Sequence, residues 1–200
     1  SRNYTRHGWV LKCDIQKFFA SIDHQALLSI LQEYIPDPDI AWLLQNIIAS
    51  FHTEFKPGVG LPLGNLTSQL FANVYLNRFD QWVKHKLKAK YYARYADDFV
   101  FLSPDKKWLK NIIPQIKNFL HTELKLSLHP NKLFLKTIAS GVDFLGWVNL
   151  SNHRVLRTTT KRRMFRRLAE RKGNETTLRS YQGLLSHGNT KKLQKLIADN

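Results

Sequence analysis

One cysteine, Cys13, stands in the whole 200-residue chain. A lone thiol cannot close an intrachain disulfide or build a cysteine-rich zinc site, and it suits a reducing cytosol. No apolar run approaches the roughly 20 residues needed to cross a bilayer, and the opening SRNYTRHGWV has no signal-peptide core. A cytoplasmic protein without membrane contact is therefore expected. Acids are scarce too: 15 Asp and Glu face 31 Lys and Arg, and 31 minus 15 leaves +16. Such an excess argues for a polyanionic partner, nucleic acid first. A ribosomal or chromatin-like binder would share it, so charge alone names no activity. The eight histidines show no metal-ligand spacing and read as surface or capping residues, and the sequon at Asn65 reads as coincidence.

What is present alternates between strand and helix signals. GWVLKCDI puts Leu11, Cys13 and Ile15 on one strand face and Val10, Lys12 and Asp14 on the other, so Asp14 ends a strand. Asp23 is an N-cap for a helix with Leu27, Leu28 and Leu31. Asp37-Pro38 opens another, with Ile40, Leu44, Ile47 and Phe51 as its apolar row. The loop KPGVGLPLGN feeds a long helix, about 67–88, with the stripe Leu70, Val74, Phe79 and Val83. KYYARYADDFVFLS reads as a hairpin, and Ser103-Pro104-Asp105 starts a helix that Pro114 should kink or break. NKLFLKTI and VDFLGWVNL read as a second strand pair across Ser140-Gly141. Beyond Asn152 the composition turns basic and helical. The expected fold class is α+β, a largely antiparallel sheet with helices and a small C-terminal helical subdomain from about residue 157.

Asp14, Asp97 and Asp98 all fall at strand ends. Adjacent acids at a hairpin tip are ordinarily a solvated turn. Carboxylates that converge instead make an all-oxygen site suited to Mg²⁺ or Mn²⁺, which complete their shells with water and substrate phosphates. Such a site can hold two ions about 4 Å apart for phosphoryl transfer. Bound metal would also offset the repulsion between Asp97 and Asp98.

The neighbouring blocks favour the second reading. YADD between apolar strands resembles the catalytic hairpin of reverse transcriptases, and DIQKFFASIDH resembles their first catalytic block. GLPLGNLTSQLFANVYLNRFD resembles the block beneath the incoming nucleotide, LSLHPNK the next, and FLGW the primer-gripping hairpin. The wording is most similar to bacterial enzymes, and LPLGNLTSQ to the diversity-generating retroelement branch. Leu63 and Gln69 stand where retroviral and group II intron enzymes usually carry Gln and Pro. In that branch the absence of the Gln goes with error-prone copying at template adenines.

The resemblance implies an RNA-directed DNA polymerase with a polymerase palm over 1–156 and a basic thumb-like segment over 157–200. It implies two Mg²⁺ ions, with Mn²⁺ as an alternative, an RNA template, a DNA or RNA primer and deoxynucleoside triphosphates. An accessory protein or structured RNA is an open partner. Asp14 and Asp97 would bind metal with the Ile15 carbonyl, while Asp98 would ligate or only tune the field. Phe19 would be the steric gate against a 2′-OH, with Phe18 as core; core packing is the plainer reading of Phe19 too. Gly64 would let the backbone approach the base pair, and Ser68 and Gln69 would touch template or nucleotide, or else cap the helix. Lys132 would protonate leaving pyrophosphate, or is merely solvated. Tyr95 would reach the primer end, and Phe144, Leu145, Gly146 and Trp147 would form the primer grip, Leu145 through packing alone in the simpler view. Arg162, Arg163, Arg166 and Arg167, within the basic run from Lys161 to Lys172, would line the duplex. The family's fingers region is expected to be missing, since few residues precede the first strand. Two alternatives stay open: a nucleic-acid-binding module without catalysis, and a template-independent polymerase of the same fold.

Overall fold

The structure, a computed structural model, describes residues 8–51, 57–171 and 174–198. Lys56, in the glycine-proline loop, and Lys172, at the end of the basic run, lie outside them. The chain divides into two compact units, one of residues 9–135 and one that takes in Gly8 and the residues from Lys136 on.

In the first unit, β1 (Trp9–Asp14) leads through the short α1 (Phe18–Ser21) to α2 (His24–Tyr34) and α3 (Pro38–Ala49). Then come α4 (Leu66–His85), β2 (Tyr92–Tyr95), β3 (Asp98–Ser103), α5 (Lys106–Leu124) and β4 (Phe134–Thr137), within which the border between units falls. The anticipated caps form: Asp23 accepts from the Ala26 N–H at 2.9 Å, and Asp37 from those of Asp39 and Ile40 at 3.0 Å. The sheet order is β2-β3-β1-β4, with β3 antiparallel to both β1 and β2. Period-two alternation sends Leu11, Cys13, Phe99 and Phe101 into the core. There the Phe79 ring of α4 meets Phe99 at 5.0 Å, and the Tyr75 hydroxyl donates to the Leu124 carbonyl at 2.7 Å. Each such aromatic burial contributes about 2–3 kcal/mol. Burial pushes the Cys13 thiol up to about 12, which makes it a core residue and no nucleophile.

Several sequence expectations need correction. The inward row of α4 is Phe71, Tyr75, Leu76, Phe79 and Val83, and Leu70 is 61 % exposed. The expected stripe is out of phase at its N-terminal end, where loop residues are as apolar as the helix. On α3 the buried residue is Ile48, leaving Ile40, Trp42, Leu43 and Ile47 exposed. Pro114 does not break α5, which runs continuously through it. Pro114 and Lys110, whose carbonyl loses its partner, both face solvent, where water can replace the missing bond.

The second unit holds a short 3-10 turn (Ile138–Ser140), then β5 (Val142–Phe144), β6 (Trp147–Asn149) and β7 (Arg154–Leu156) as an antiparallel sheet in that order. NKLFLKTI does not pair with VDFLGWVNL. The latter folds on itself around Leu145 and Gly146, at φ +55 and +80, the two-residue turn that matches strand twist. Local closure costs less entropy than the longer pairing. Helices α6 (Thr158–Glu170), α7 (Glu175–Leu185) and α8 (Lys191–Ala198) follow. Trp147 and Leu156 share a core with Met164, Leu185 and Ile197, so the compositional change near residue 157 falls inside this unit. No helix among the described residues is long and apolar enough to cross a membrane.

Candidate active site

The register between β1 and β3 sets Asp14 directly opposite Asp98. Directly opposed residues project from the same face of a sheet. Lys12, two residues before Asp14, shares that face, as does Tyr95, which is opposite Asp98 on β2 and 65 % exposed. Between Tyr95 and Asp98 the hairpin turns in two residues, Ala96 and Asp97. Ala96 sits at φ +50, a conformation uncommon for a residue with a Cβ and found where surrounding structure enforces it. The Ile15 N–H donates to the Asp97 carbonyl at 3.3 Å. Three carboxylates are thus gathered at one end of the strands.

Lysines neutralise part of that charge. Lys132 places its Nζ 3.1 and 3.0 Å from the two oxygens of Asp14. The segment that carries it is zipped to the end of β1: Gln16 N–H donates to the Ser127 carbonyl at 2.9 Å, and His129 N–H to the Asp14 carbonyl at 2.8 Å. Lys12 Nζ lies 3.3 Å from Asp98 Oδ2. Asp97 has its pKa raised, first by burial and then by Asp14 and Asp98, with its own backbone hydrogen bond and Lys132 opposing.

The turn is held from behind by residues that reading the sequence does not single out. Arg94 donates through Nε and Nη2 to both oxygens of Asp80 on α4, at 2.8 and 2.5 Å, and through Nη1 to the Ala96 carbonyl at 3.1 Å and to Asn73 at 3.3 Å. The Tyr92 hydroxyl donates to Asp80 at 2.7 Å. Burial pulls the Arg94 pKa down, but the Asp80 hydrogen bonds and charge more than reverse this. A signal was available: the alternation puts Arg94 on the core face of its strand, where a cation needs a buried partner.

The reverse transcriptase (RNA-dependent DNA polymerase) family matches residues 2–148. The chain belongs to this family. It is 25 % identical to the protein YkfC of Escherichia coli over 78 % of this chain and 49 % of that protein. It is likewise 25 % identical to the group II intron-encoded protein LtrA of Lactococcus lactis over 73 % of this chain and 35 % of that one. The chain therefore spans about half the length of one relative and about a third of the other. Among solved structures it resembles apo telomerase from Candida tropicalis, with a TM-score of 0.61 at 13 % identity over 76 % of this chain and 33 % of that one. That likeness shows the fold, the α+β palm of such polymerases.

The remaining residues singled out in this reverse transcriptase chain are placed as follows. Phe19 is half-buried, its ring edge-on to buried Phe18 at 5.2 Å, and its carbonyl accepts from Leu61 N–H at 2.8 Å. That bond ties it to the loop carrying Leu63 and Gly64. Leu63 is 80 % exposed, and Gly64, at φ +83, has open space where a Cβ would stand. Gln69 is exposed, but Ser68 is buried and faces the core, and the α4 N-cap is Asn65 with no side-chain cap bond. Neither Ser68 nor Gln69 caps the helix. In the second unit, Phe144 and Trp147 are cross-strand partners flanking the Leu145-Gly146 turn. Trp147 is buried against Gly188, while Leu145 is half exposed in its left-handed conformation. Arg162, Arg163, Arg166 and Arg167 are exposed on α6, whose buried residue is Met164; Arg166 is paired with Glu170 at 3.6 Å.

Among the described residues, no three His, Cys, Asp or Glu side chains stand close enough to cage a metal ion. Mg²⁺ does not require such a cage, since it is commonly bound by one or two carboxylates with water and substrate phosphates. A hard oxygen donor set that repels itself at Asp97 fits that ion.

Proposed function

We propose that this protein is an RNA-directed DNA polymerase that extends a primer 3′-OH with deoxynucleoside triphosphates on an RNA template. The observation that carries the reading is the strand register that sets Asp14 against Asp98 beside the Asp97 turn, in a chain of the reverse transcriptase family. In the reaction the primer oxygen bonds to the α-phosphorus as the bond to the β-phosphate bridging oxygen breaks, and pyrophosphate leaves. Two Mg²⁺ ions, or Mn²⁺ in their place, held by Asp14, Asp97 and the Ile15 carbonyl would activate the attacking hydroxyl and stabilise the leaving oxygen. Lys132, half exposed at the end of its loop, leaves Asp14 to donate a proton to the pyrophosphate.

Phe19 lies under the sugar and rejects a 2′-OH. Leu63, Gly64 and Gln69 line the nucleotide's base, Gly64 admitting close approach, and Ser68 supports that surface from the core side. Tyr95 and the Phe144–Trp147 hairpin hold the primer, and the α6 arginines follow the duplex backbone as a thumb. Leu63 and Gln69 favour the diversity-generating retroelement branch and error-prone copying in a bacterial cytoplasm.

The test is primer extension on an RNA template with Mg²⁺ and deoxynucleotides, the parent chain beside Asp97→Asn. Product from the parent alone is expected. Product from both would remove Asp97 from the mechanism; none from either, with tight salt-sensitive RNA binding, would make the chain a palm that needs further parts of the polymerase or a nucleic-acid-binding module.

A further inference from the structure

Asp14 and Asp98 each have a lysine, but the two lysines are built differently. Lys132 rides on the loop that follows α5, and its side chain is 52 % exposed, so it can withdraw into water. Lys12 springs from the middle of β1, a strand with neighbours on both sides in the sheet order, and its side chain is 18 % exposed. In the register Lys12 faces Val100, which makes Asp98 its diagonal neighbour on the same face, within reach of a long side chain. Its backbone cannot move without breaking the sheet, and Asp98 offsets part of what its ammonium lost by leaving water, so removing either partner would leave the other charge poorly compensated. Asp97, the remaining acid, has no cation within ion-pair distance among the described residues.

We propose that Lys12 is a positioning residue that keeps Asp98 occupied as a permanent ion-pair partner, so that divalent cations are left Asp14, once Lys132 withdraws, and Asp97. The inference rests on the metal-site reading above and adds to it a division of labour among three acids. Lys12 also lowers the negative charge of the site by one unit. That limits how strongly a divalent ion binds before nucleotide phosphates arrive.

The probe is Mn²⁺ alone, titrated into the protein without nucleic acid and followed by electron paramagnetic resonance of the free ion. Lys12→Met keeps an apolar stem of similar length and removes the charge; it is expected to bind Mn²⁺ about tenfold tighter or more. Lys12→Arg should stay within about twofold of the parent, since it preserves the ion pair. Lys12→Met/Asp98→Asn should lose the gain, because the freed carboxylate is what supplies it. A Lys12→Met protein with unchanged or weaker Mn²⁺ binding and an unchanged melting temperature overturns the proposal, as does a gain that survives Asp98→Asn. Primer extension by the parent together with either of those results would sink the Lys12 assignment alone. The expected Mn²⁺ pattern in a chain that never extends a primer would sink the polymerase reading alone.

Discussion

Replacing Arg94 by lysine keeps a positive charge on the core face of β2 but gives up the planar fork that grips Asp80 and the bond to the Ala96 carbonyl. Arg94 and Asp80 have side chains only 10 % and 26 % exposed, so the pair behaves as a buried one. Removing one member of such a pair costs about 3–5 kcal/mol. The water still reaching Asp80 sets Arg94→Ala at the lower end, about 3 kcal/mol. At about 2–4 °C per kcal/mol for a protein of this size, Arg94→Ala should melt about 6–12 °C below the parent. Arg94→Lys should lose about 1–2 kcal/mol, at about 1 kcal/mol per hydrogen bond given up. The functional effect should exceed the loss of stability, because the Ala96 bond restrains the left-handed turn on which Asp97 is carried. In single-nucleotide primer extension by Arg94→Lys, kcat should fall tenfold or more, which corresponds to about 1.4 kcal/mol at the transition state. KM for the nucleotide should change little, since no proposed nucleotide contact is touched. An Arg94→Lys protein that melts within a degree of the parent and keeps its kcat would refute the idea that the turn is held from behind.

The other predictions address separate links. Asp97 has a raised pKa: its contribution to stability is present below the ordinary Asp value near 3.9, is lost as pH rises through the folded value, and leaves the ionised group a cost at neutral pH. Asp97→Asn should therefore melt higher than the parent at pH 7, with the gain shrinking toward pH 4; an equal or lower melting temperature at pH 7 contradicts this. Phe19→Ala should admit ribonucleotides in single-nucleotide incorporation, and unchanged sugar discrimination would remove Phe19 as the gate. Changing Arg162, Arg163, Arg166 and Arg167 together to Gln should reduce the slope of log K against log salt for RNA binding by about 0.7–0.9 for each phosphate that is no longer neutralised. A parental slope would leave α6 a solvated helix.

Much of the fold was legible because its signals are local. Asp23, Asp37 and Asp105 each sit one residue before a helix and accept from its first N–H groups. The alternation in GWVLKCDI marks the faces of β1 directly. Failures came where a local signal met a competing one. The loop leucines ahead of α4 have the same apolarity as its core residues, so period alone misplaces the stripe at Leu70. The fate of VDFLGWVNL turned on whether Leu145 would accept a left-handed backbone, which its side chain does not advertise. Pro114 signals a kink or a break through its missing N–H alone, and that the break does not occur depends on which side of α5 it occupies.

The acids of the site were visible and their partners were not, for a physical reason. A carboxylate at a strand end is marked by its break with the apolar pattern, whereas Lys12 sits at a position where a solvated lysine would look the same. Lys132 is 118 residues from Asp14 in the chain, and nothing in the one segment specifies the other. The two are joined because Ser127 and His129 bond along the end of β1, a pairing that exists only once the sheet has formed. Asp97 is the exception that links charge to function. Its neighbours are acids, burial works against its charge, and the fold still holds it on a turn with a left-handed alanine. A charge carried at that cost fits the proposed metal site, where a divalent cation would offset what the folded chain alone leaves uncompensated.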